Sequence, residues 1–189
     1  MEFLKEELRH QISHLSHEYL SLVDLAYDSL QNRLFEMKTI ELLTEECEFG
    51  GLHLGGSRKP DGIVYTTNLN NNYGIIIDTK AYAKGYSLPI SQADEMERYV
   101  RENLVRDEKT NPSKWWVNFS KDISEFYFLF ISGHFTGNYK NQIKRLSISS
   151  STKGNAVEIS NLLLYADKLI SKEYGYEDIK TKLFETDEF

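Results

Sequence analysis

The sequence predicts an α/β fold in which a mixed central β-sheet is flanked by α-helices. Three observations predict it: apolar residues at helical spacing in the first third, strand-like runs in the middle, and strands that then alternate with helices. The chain has 189 residues, of which 40% are hydrophobic and 13% aromatic, so it can bury one sizeable core but is short for two. We therefore expect residues 1–189 to form a single domain.

Helices are predicted for the first third of the chain. Over residues 3–15 apolar side chains recur at helical spacing, namely Leu4, Leu8, Ile12 and Leu15. A second helical region covers residues 16–46, with an interruption near 29–32. Gly50 and Gly51 are expected to stop this region, because glycine readily adopts the left-handed conformation that ends helices.

Strands are predicted for the middle of the chain. Gly62–Tyr65 and residues 73–82 are typical of a hairpin joined by an asparagine-rich turn at 68–72. The almost wholly apolar segment Glu125–Ser132 indicates a strand covered on both faces. The other predicted elements are helices at 91–107, 138–146, 161–172 and 177–184, a turn at 133–137 and a short strand near 156–159.

Composition argues against a membrane protein and against a disulfide-stabilised secreted domain. The longest apolar run, residues 126–131, is too short to cross a bilayer, and the charged residues directly after Met1 do not follow the plan of a signal peptide. The single cysteine, Cys47, cannot form an internal disulfide and is expected to be a small buried hydrophobic residue. These features predict a soluble, intracellular protein with no membrane partner.

The net charge of −7 is unusual for a protein that acts on nucleic acid, because attraction to phosphates supplies most sequence-independent affinity. Two explanations are open. Either the protein does not contact DNA, or it binds DNA poorly alone and is delivered by a separate basic module.

One part of the predicted hairpin brings chemically useful side chains together. Residues two apart in a strand point to the same side, so Asp78 and Lys80 project together. Asp61 opens the preceding strand, and the hairpin can bring it beside Asp78. Arg58 and Lys59, next to glycines, make the loop before Asp61 open and cationic, which suits a phosphate backbone.

Hydrolysis of a phosphodiester calls for such groups. Mg²⁺ prefers carboxylate, carbonyl and water oxygens, so Asp61, Asp78 and the Thr79 carbonyl are the predicted ligands, with Mn²⁺ as a substitute. The metal polarises the phosphate and lowers the pKa of an attacking water. Lys80 would orient that water or stabilise charge on the phosphate. As the proton acceptor Lys80 is disfavoured, because an ammonium beside two carboxylates holds its proton more tightly.

The same spacing also occurs by chance in strands whose charged side chains simply face solvent. Asp78 and Lys80 count against that interpretation, because they interrupt a strand otherwise apolar enough to be buried, where unpaired charge is costly.

Five longer segments make the nuclease interpretation specific. They are His53-Leu-Gly-Gly-Ser-Arg-Lys-Pro-Asp-Gly62, Asp78-Thr-Lys-Ala-Tyr82, Leu88-Pro-Ile-Ser-Gln-Ala-Asp-Glu-Met-Glu-Arg-Tyr-Val100, Trp115-Trp116, and Ile131-Ser-Gly-His-Phe135 with Gly137-Asn-Tyr-Lys140. Through them the chain, over residues 8–164, resembles the PD-(D/E)xK nucleases and more closely the cleavage domain of FokI-type type IIS restriction endonucleases.

The resemblance implies a restriction-endonuclease-like core and catalytic roles for Asp61, Asp78 and Lys80. It also implies that a separate N-terminal domain, absent from this sequence, finds the DNA, which would explain the acidity, and that the protein acts in the prokaryotic cytoplasm. We predict DNA contacts by Ser57, Arg58, Lys59, His134, Asn138 and Lys140. For His134 a simple turn role accounts for the sequence equally well.

The helix at 91–107 carries a second stripe, offset from the one that packs on the sheet, made of Asp94, Arg98 and Arg101. The simplest interpretation is an Asp94–Arg98 pair within one helix, worth only about 0.3–0.5 kcal/mol. The resemblance implies instead that two domains pair here, with Asp94 of one subunit meeting Arg98 of the other across a twofold axis. We therefore predict a DNA-dependent homodimer with Asp94, Arg98 and Arg101 at its interface.

Together these observations predict a Mg²⁺-dependent endodeoxyribonuclease domain that cuts double-stranded DNA without sequence preference of its own, one strand per protomer. Two alternatives stay open. A nuclease of DNA repair or junction resolution would prefer branched DNA. A catalytically silent DNA-binding or dimerisation module would not cut at all, and the intact Asp61, Asp78 and Lys80 argue against it.

Overall fold

A computed structural model describes residues 1–67, 70 and 72–185 of the chain. Among these residues, five strands form one mixed sheet in the order β1-β2-β3-β4-β5: β1 Gly50–His53, β2 Gly62–Tyr65, β3 Tyr73–Lys80, β4 Glu125–Ser132 and β5 Gly154–Glu158. The first three strands are antiparallel neighbours, whereas β3, β4 and β5 run parallel. The predicted mixed sheet flanked by helices is confirmed. The predicted asparagine-rich turn at 68–72 lies in part outside the described residues.

Helices cover both faces of the sheet. They are α1 Glu2–Gln11, α2 Ser21–Leu25, α3 Asn32–Glu41, α4 Ile90–Val105, α5 Tyr139–Ser150, α6 Ile159–Ile170 and α7 Tyr176–Lys180, with short 3₁₀ turns at His17–Leu20, Ser29–Gln31 and Trp115–Asn118 and π turns at Leu42–Glu46 and Thr181–Glu185. None of the helices in the described part of the chain is long and apolar enough to cross a membrane.

Alternation along β3 assigns its side chains to two cores. Ile75 and Ile77 pack in the core formed with the N-terminal helices and α6, whereas Ile76 packs in the core under α4 and α5. Trp115 and Trp116 are buried in this second core, and Trp115 Nε1 donates to the Glu102 carboxylate at 2.9 Å. Cys47 is buried, as the sequence predicted.

The first helix ends earlier than the apolar spacing predicts. It stops at Gln11, because the Asp167 carboxylate of α6 accepts hydrogen bonds from the backbone N–H groups of Ser13, His14 and Leu15 at 2.6–2.9 Å. Those N–H groups are the ones that a continued helix would use. Ile12 and Leu15 are nevertheless buried.

The predicted stop at Gly50 and Gly51 is wrong in its position, since both glycines lie in β1. The helical region ends at Glu46, and the left-handed residue that follows is Glu48, with φ 57°. Gly50 is required for a different reason. A Cβ there would lie 2.4 Å from Cε2 of Tyr65 on the neighbouring strand.

Candidate active site

Asp61 and Asp78 face each other across two antiparallel strands. In the register between β2 and β3, Gly62 lies opposite Ile77, and continuing it by one residue places Asp61 opposite Asp78. Asp78 belongs to β3, whereas Asp61 directly precedes β2. The hairpin thus brings the two carboxylates to one edge of the sheet, as the sequence predicted.

Lys80 forms an ion pair with Asp78. The Lys80 Nζ lies 2.7 Å from Asp78 Oδ2, and the side chains are only 17% and 12% exposed. Both residues share a face of β3 with Ile76, under α4. Two charges removed from water in this way are tolerated because they pair with each other.

The electrostatics of the cluster disfavour the charged form of Asp78 and favour the charged form of Lys80. Burial raises the pKa of Asp78, the ammonium of Lys80 opposes this, and the negative charge of Asp61 adds to it, so the net direction is upward. Burial lowers the pKa of Lys80, but the carboxylates of Asp78 and Asp61 outweigh it and the net direction is again upward. Lys80 therefore keeps its proton, which agrees with the expectation that it is not the proton acceptor.

Asp61 is fixed by hydrogen bonds on its side chain and on its backbone. Its Oδ2 accepts from the backbone N–H of Thr79 at 2.6 Å and from Thr79 Oγ1 at 3.1 Å. Its carbonyl accepts from Leu54 N at 2.8 Å and Gly55 N at 3.2 Å. The role of the Thr79 side chain was missed at the sequence level, where only its carbonyl was considered. Its position in β3, next to Asp78, was the one available sign.

The donor set fits a hard divalent cation. Asp61 and Asp78 offer carboxylate oxygens, and a divalent cation held by them would offset the burial and the repulsion from Asp61 that raise the pKa of Asp78. In residues 1–67, 70 and 72–185, no group of three or more His, Cys, Asp or Glu side chains is placed to hold a metal ion. Mg²⁺ commonly binds through one or two carboxylates and keeps several waters, so two carboxylates suffice for it.

The loop before Asp61 is held by a second loop after α4. Arg58 has a left-handed backbone, with φ 63°, and its carbonyl accepts from Asn111 Nδ2 at 3.0 Å. The same amide group donates to the buried carboxylate of Glu102 at 2.9 Å. Ser57 and Arg58 are exposed and Lys59 is partly exposed. Sequence reasoning missed Asn111 and Glu102, because their partners are remote along the chain.

The remaining predicted DNA contacts lie past the carboxyl end of β4. Lys80 of β3 pairs with Ser132 of β4, so the turn that carries His134 lies at the same edge as the two carboxylates. His134 Nδ1 lies 2.6 Å from Glu158 Oε1, a partner that the sequence did not indicate. Asn138 is exposed, and Lys140 lines a surface groove on the β5 side with Asn161. The structure places Lys140 beside β5, away from the loop of Arg58.

The charges of α4 have other partners than the sequence suggested. Asp94 Oδ1 lies 2.9 Å from an Nη2 of Arg145 on α5, and Arg98 Nη2 lies 3.1 Å from Glu95 Oε1. An Asp94–Arg98 pair within the helix, the simplest interpretation of the spacing, is therefore wrong. Arg98 and Arg101 line one surface cavity together with Arg58, which joins the α4 stripe to the loop before Asp61.

Comparison with known proteins gives concordant matches. The family model described as "FokI, cleavage domain" matches residues 1–189. The type II restriction enzyme FokI of Planomicrobium okeanokoites is 44% identical over 182 residues, which are 96% of this chain and 31% of that protein. The type II restriction enzyme StsI of Streptococcus sanguinis is 33% identical over 189 residues, which are 98% of this chain and 31% of that protein.

Solved structures give the same result. The structure of the restriction endonuclease FokI matches with a TM-score of 0.93 at 44% identity, covering 96% of this chain and 32% of the solved one. The structure of FokI bound to DNA matches with a TM-score of 0.91 at 44% identity, covering 94% of this chain and 31% of the solved one. The chain thus spans about a third of the length of these relatives.

Proposed function

The chain belongs to the family of FokI cleavage domains, and from that premise we propose that it is a metal-dependent endodeoxyribonuclease domain of a type IIS restriction enzyme. It hydrolyses double-stranded DNA without sequence preference of its own. The observation that carries the proposal is the cluster at the sheet edge, where Asp61 faces Asp78 and the Lys80 ammonium lies 2.7 Å from Asp78.

Each member of the cluster has a distinct task. Asp61 and Asp78, with the Thr79 carbonyl, would hold Mg²⁺, for which Mn²⁺ substitutes; when bound, the ion supplies a Lewis acid for the phosphate and a more acidic water. Thr79 holds Asp61 in place through its N–H and hydroxyl. Lys80, kept charged by the carboxylates, orients the attacking water or stabilises charge on the phosphate. The oxygen of the water adds to phosphorus and the bond from phosphorus to the 3′ oxygen breaks. The 3′ oxygen takes up the proton that the water loses, so the products are a 5′-phosphate and a 3′ hydroxyl.

The surface around the cluster suits a DNA backbone. The contacts that we propose come from the loop before Asp61 and from the turn and helix start after β4: Ser57, Arg58, Lys59, His134, Asn138 and Lys140. The glycines at 55 and 56 have φ values of 52° and 88°, which residues with a side chain rarely adopt. These groups bind phosphates regardless of sequence, which fits cleavage without a preferred site.

Sequence recognition is assigned to a part of the enzyme outside residues 1–189. The chain, which we take to be a single domain, covers 31% of the length of FokI and of StsI. Its net charge of −7 supports delivery by another module, because an acidic domain gains little from general attraction to phosphates.

Double-strand cleavage is assigned to a DNA-dependent homodimer built on α4. Asp94, Arg98 and Arg101 lie on the exposed side of this helix, outside the core that holds Met96 and Val100. One protomer presents one pair of carboxylates, and the strands of DNA are antiparallel, so a twofold pair of protomers matches the symmetry of the substrate.

A plasmid-cleavage assay tests the proposed function. The protein, at micromolar concentration and low salt, is expected to convert supercoiled plasmid to nicked and linear forms with Mg²⁺ or Mn²⁺ but not with EDTA. Asp78→Asn should abolish the conversion and Lys80→Ala should slow it by about 10²–10³-fold, whereas the exposed Asp122→Asn serves as a matched control and should cut like the parent. Plasmid that stays supercoiled with both metals would contradict the proposal, and a strong preference for branched DNA would favour a repair nuclease.

A further inference from the structure

Tyr86 has a buried hydroxyl group without a partner. The residue is only 3% exposed, and within the described residues its hydroxyl oxygen makes no hydrogen bond. The equally buried Tyr73 differs, because its hydroxyl donates to the Tyr176 carbonyl at 2.7 Å. A buried hydroxyl that lacks an acceptor destabilises a protein, so an unpaired one in a candidate active site calls for an explanation.

The backbone and the ring of Tyr86 are held firmly at the edge of the sheet that carries the active site. Its N–H donates to the His134 carbonyl at 2.8 Å, and its carbonyl accepts from Thr136 N at 3.0 Å. The ring stacks on Tyr82, with centroids 5.2 Å apart. Tyr86 packs in the same core as Ile76, whose face of β3 also carries Asp78 and Lys80. The hydroxyl therefore lies under α4 on the side of the sheet where the ion pair is.

The hydroxyl keeps its proton there and can donate it in a hydrogen bond. Burial raises the pKa of Tyr86, and the negative charges of Asp78, Glu95 and Asp61 raise it further, with Asp78 the strongest of the three. The proton consequently stays on the phenol at neutral pH. The carboxylates whose charge reaches the phenol are also the acceptors that such a donor would use.

Lys80 is paired with Asp78 in the free protein, but its proposed role is at the attacking water or the phosphate. Its Nζ lies 2.7 Å from Asp78 Oδ2. In the reaction that we propose, Asp78 would hold a divalent cation and Lys80 would turn from Asp78 toward the negatively charged phosphate. Asp78 then loses a hydrogen-bond donor while it is still buried, and carboxylates that bind metals are usually hydrogen-bonded by a neighbour.

We propose that Tyr86 is a positioning residue whose hydroxyl donates to Asp78 when Lys80 turns away, and so holds this carboxylate for the metal. The inference rests on the proposed function, since it needs a cation at Asp61 and Asp78. In the free protein the Lys80 ammonium lies 2.7 Å from Asp78 Oδ2, and the Tyr86 hydroxyl is unpaired within the described residues.

Metal affinity without DNA tests the inference directly. Binding of Mn²⁺, measured by calorimetry, should be about tenfold weaker in Tyr86→Phe than in the parent, because neighbours that orient a ligand contribute about 10–100-fold to affinity. The metal-free melting temperature should not fall in Tyr86→Phe, since only an unpaired hydroxyl is removed. Tyr73→Phe is the matched control: it loses a paired hydroxyl, so its melting temperature should fall while its Mn²⁺ affinity stays unchanged.

Cleavage should show the same shift. Tyr86→Phe should need about tenfold more Mn²⁺ for its half-maximal rate and should approach the parent rate at saturating metal. Parent-like Mn²⁺ affinity in Tyr86→Phe would overturn the inference, as would a fall in its metal-free melting temperature like that of Tyr73→Phe. Failure of the proposed function looks different. In that case the parent itself would bind no Mn²⁺, or would bind it unchanged after Asp61→Ala and Asp78→Ala, and the role of Tyr86 would fall with it.

Discussion

At the scale of single residues, the destabilisation that the site imposes on the fold is concentrated in Asp78. This carboxylate lies in a strand whose other members are almost all apolar, and it faces a second carboxylate, Asp61, across the hairpin. Its pKa is raised, mainly by burial, so the charged form is disfavoured in the folded protein. A ligand that needs the charged form and neutralises it should therefore stabilise the fold.

Divalent metal should raise the melting temperature through these two carboxylates. At a concentration of Mg²⁺ or Mn²⁺ near 100 times its dissociation constant, linkage adds about 2.7 kcal/mol, which corresponds to about 5–10 °C for a chain of this size. Differential scanning fluorimetry with and without metal measures the shift. It should vanish in Asp61→Ala and in Asp78→Ala. An undiminished shift in both variants would remove these residues from the metal site.

Lys80→Ala provides the complementary variant. It leaves Asp78 buried without its ion-pair partner, so the metal-free protein should melt lower than the parent. The metal-induced shift should be at least as large as in the parent, because the ammonium no longer competes for Asp78. Cleavage should nevertheless fall by about 10²–10³-fold, the loss typical for removal of one group that stabilises the transition state. Cleavage at the parent rate would show that Lys80 has no role in the chemistry.

At the scale of elements, a single side chain of α6 organises the segment between α1 and the next helical turn. The Asp167 carboxylate accepts three backbone hydrogen bonds, from Ser13, His14 and Leu15. Burial raises the pKa of Asp167, but these hydrogen bonds outweigh burial and the net direction is downward. The charged form is thus the one that the fold selects.

Asp167→Ala should destabilise the fold by about 2–4 kcal/mol, because three backbone N–H groups, of which that of Leu15 is buried, lose a charged acceptor. Asp167→Asn, which keeps one oxygen acceptor, should lose less. A carboxyl whose folded pKa is lowered contributes fully above its ordinary pKa of about 4, and the contribution is lost as the pH falls through the folded value. The difference in unfolding free energy between parent and Asp167→Asn, from urea titrations, should therefore shrink from pH 7 to pH 3. A constant difference would contradict the role of the charge.

The same segment shows what the sequence can predict and what it cannot. Periodicity predicts the mixed sheet, the burial of β3 and the convergence of Asp61 with Asp78, because these depend on neighbours or on a short hairpin. It does not predict the end of α1 at Gln11, since the carboxylate responsible lies more than 150 residues away. The Asp94–Arg145 and Arg58–Asn111 contacts were missed for the same reason.

On α4, charge reversal tests the proposed dimer. Asp94→Arg or Arg98→Asp alone should place like charges across the twofold axis and lower double-strand cleavage, although the carboxylate cluster is untouched. Mixing the two variants should restore it, because the introduced arginine then faces the introduced aspartate and the second contact is the parental one. Plasmid linearisation by each variant and by the mixture measures this.

A control is needed because Asp94 binds Arg145 within the protomer. Asp94→Arg sets two arginines side by side and so has a local cost of its own, although an exposed pair is worth only about 0–1 kcal/mol. Arg145→Ala removes the internal partner without changing Asp94, and should leave linearisation undiminished. Parent-like cutting by either charge-reversal variant alone, first order in enzyme, would show that α4 does not govern assembly.

At the scale of the whole molecule, the net charge bears on how the proposed nuclease domain reaches DNA. The chain carries 29 acidic and 22 basic side chains, so general attraction to DNA is weak even though the loop of Arg58 and Lys59 is cationic. The contacts that the domain makes to DNA and the delivery of the domain to DNA are therefore separate questions. Under the proposed function, the position of cleavage along DNA is set by the module that delivers the domain.

Delivery should therefore convert a slow, diffuse nuclease into a local one. The unfused protein should cut plasmid slowly, with a rate that falls steeply between 50 and 200 mM salt, because its sequence-independent binding rests on contacts to phosphates, which salt weakens. Fusing a basic, sequence-reading domain to its N-terminus should raise the effective concentration on DNA and confine breaks to the neighbourhood of the bound site, which primer extension on the cut plasmid maps. The same fusion with Asp78→Asn should bind equally and cut nothing. Nanomolar affinity of the unfused protein for plain DNA at physiological salt would contradict the assignment of DNA binding to a separate module, because the domain would then need no delivery.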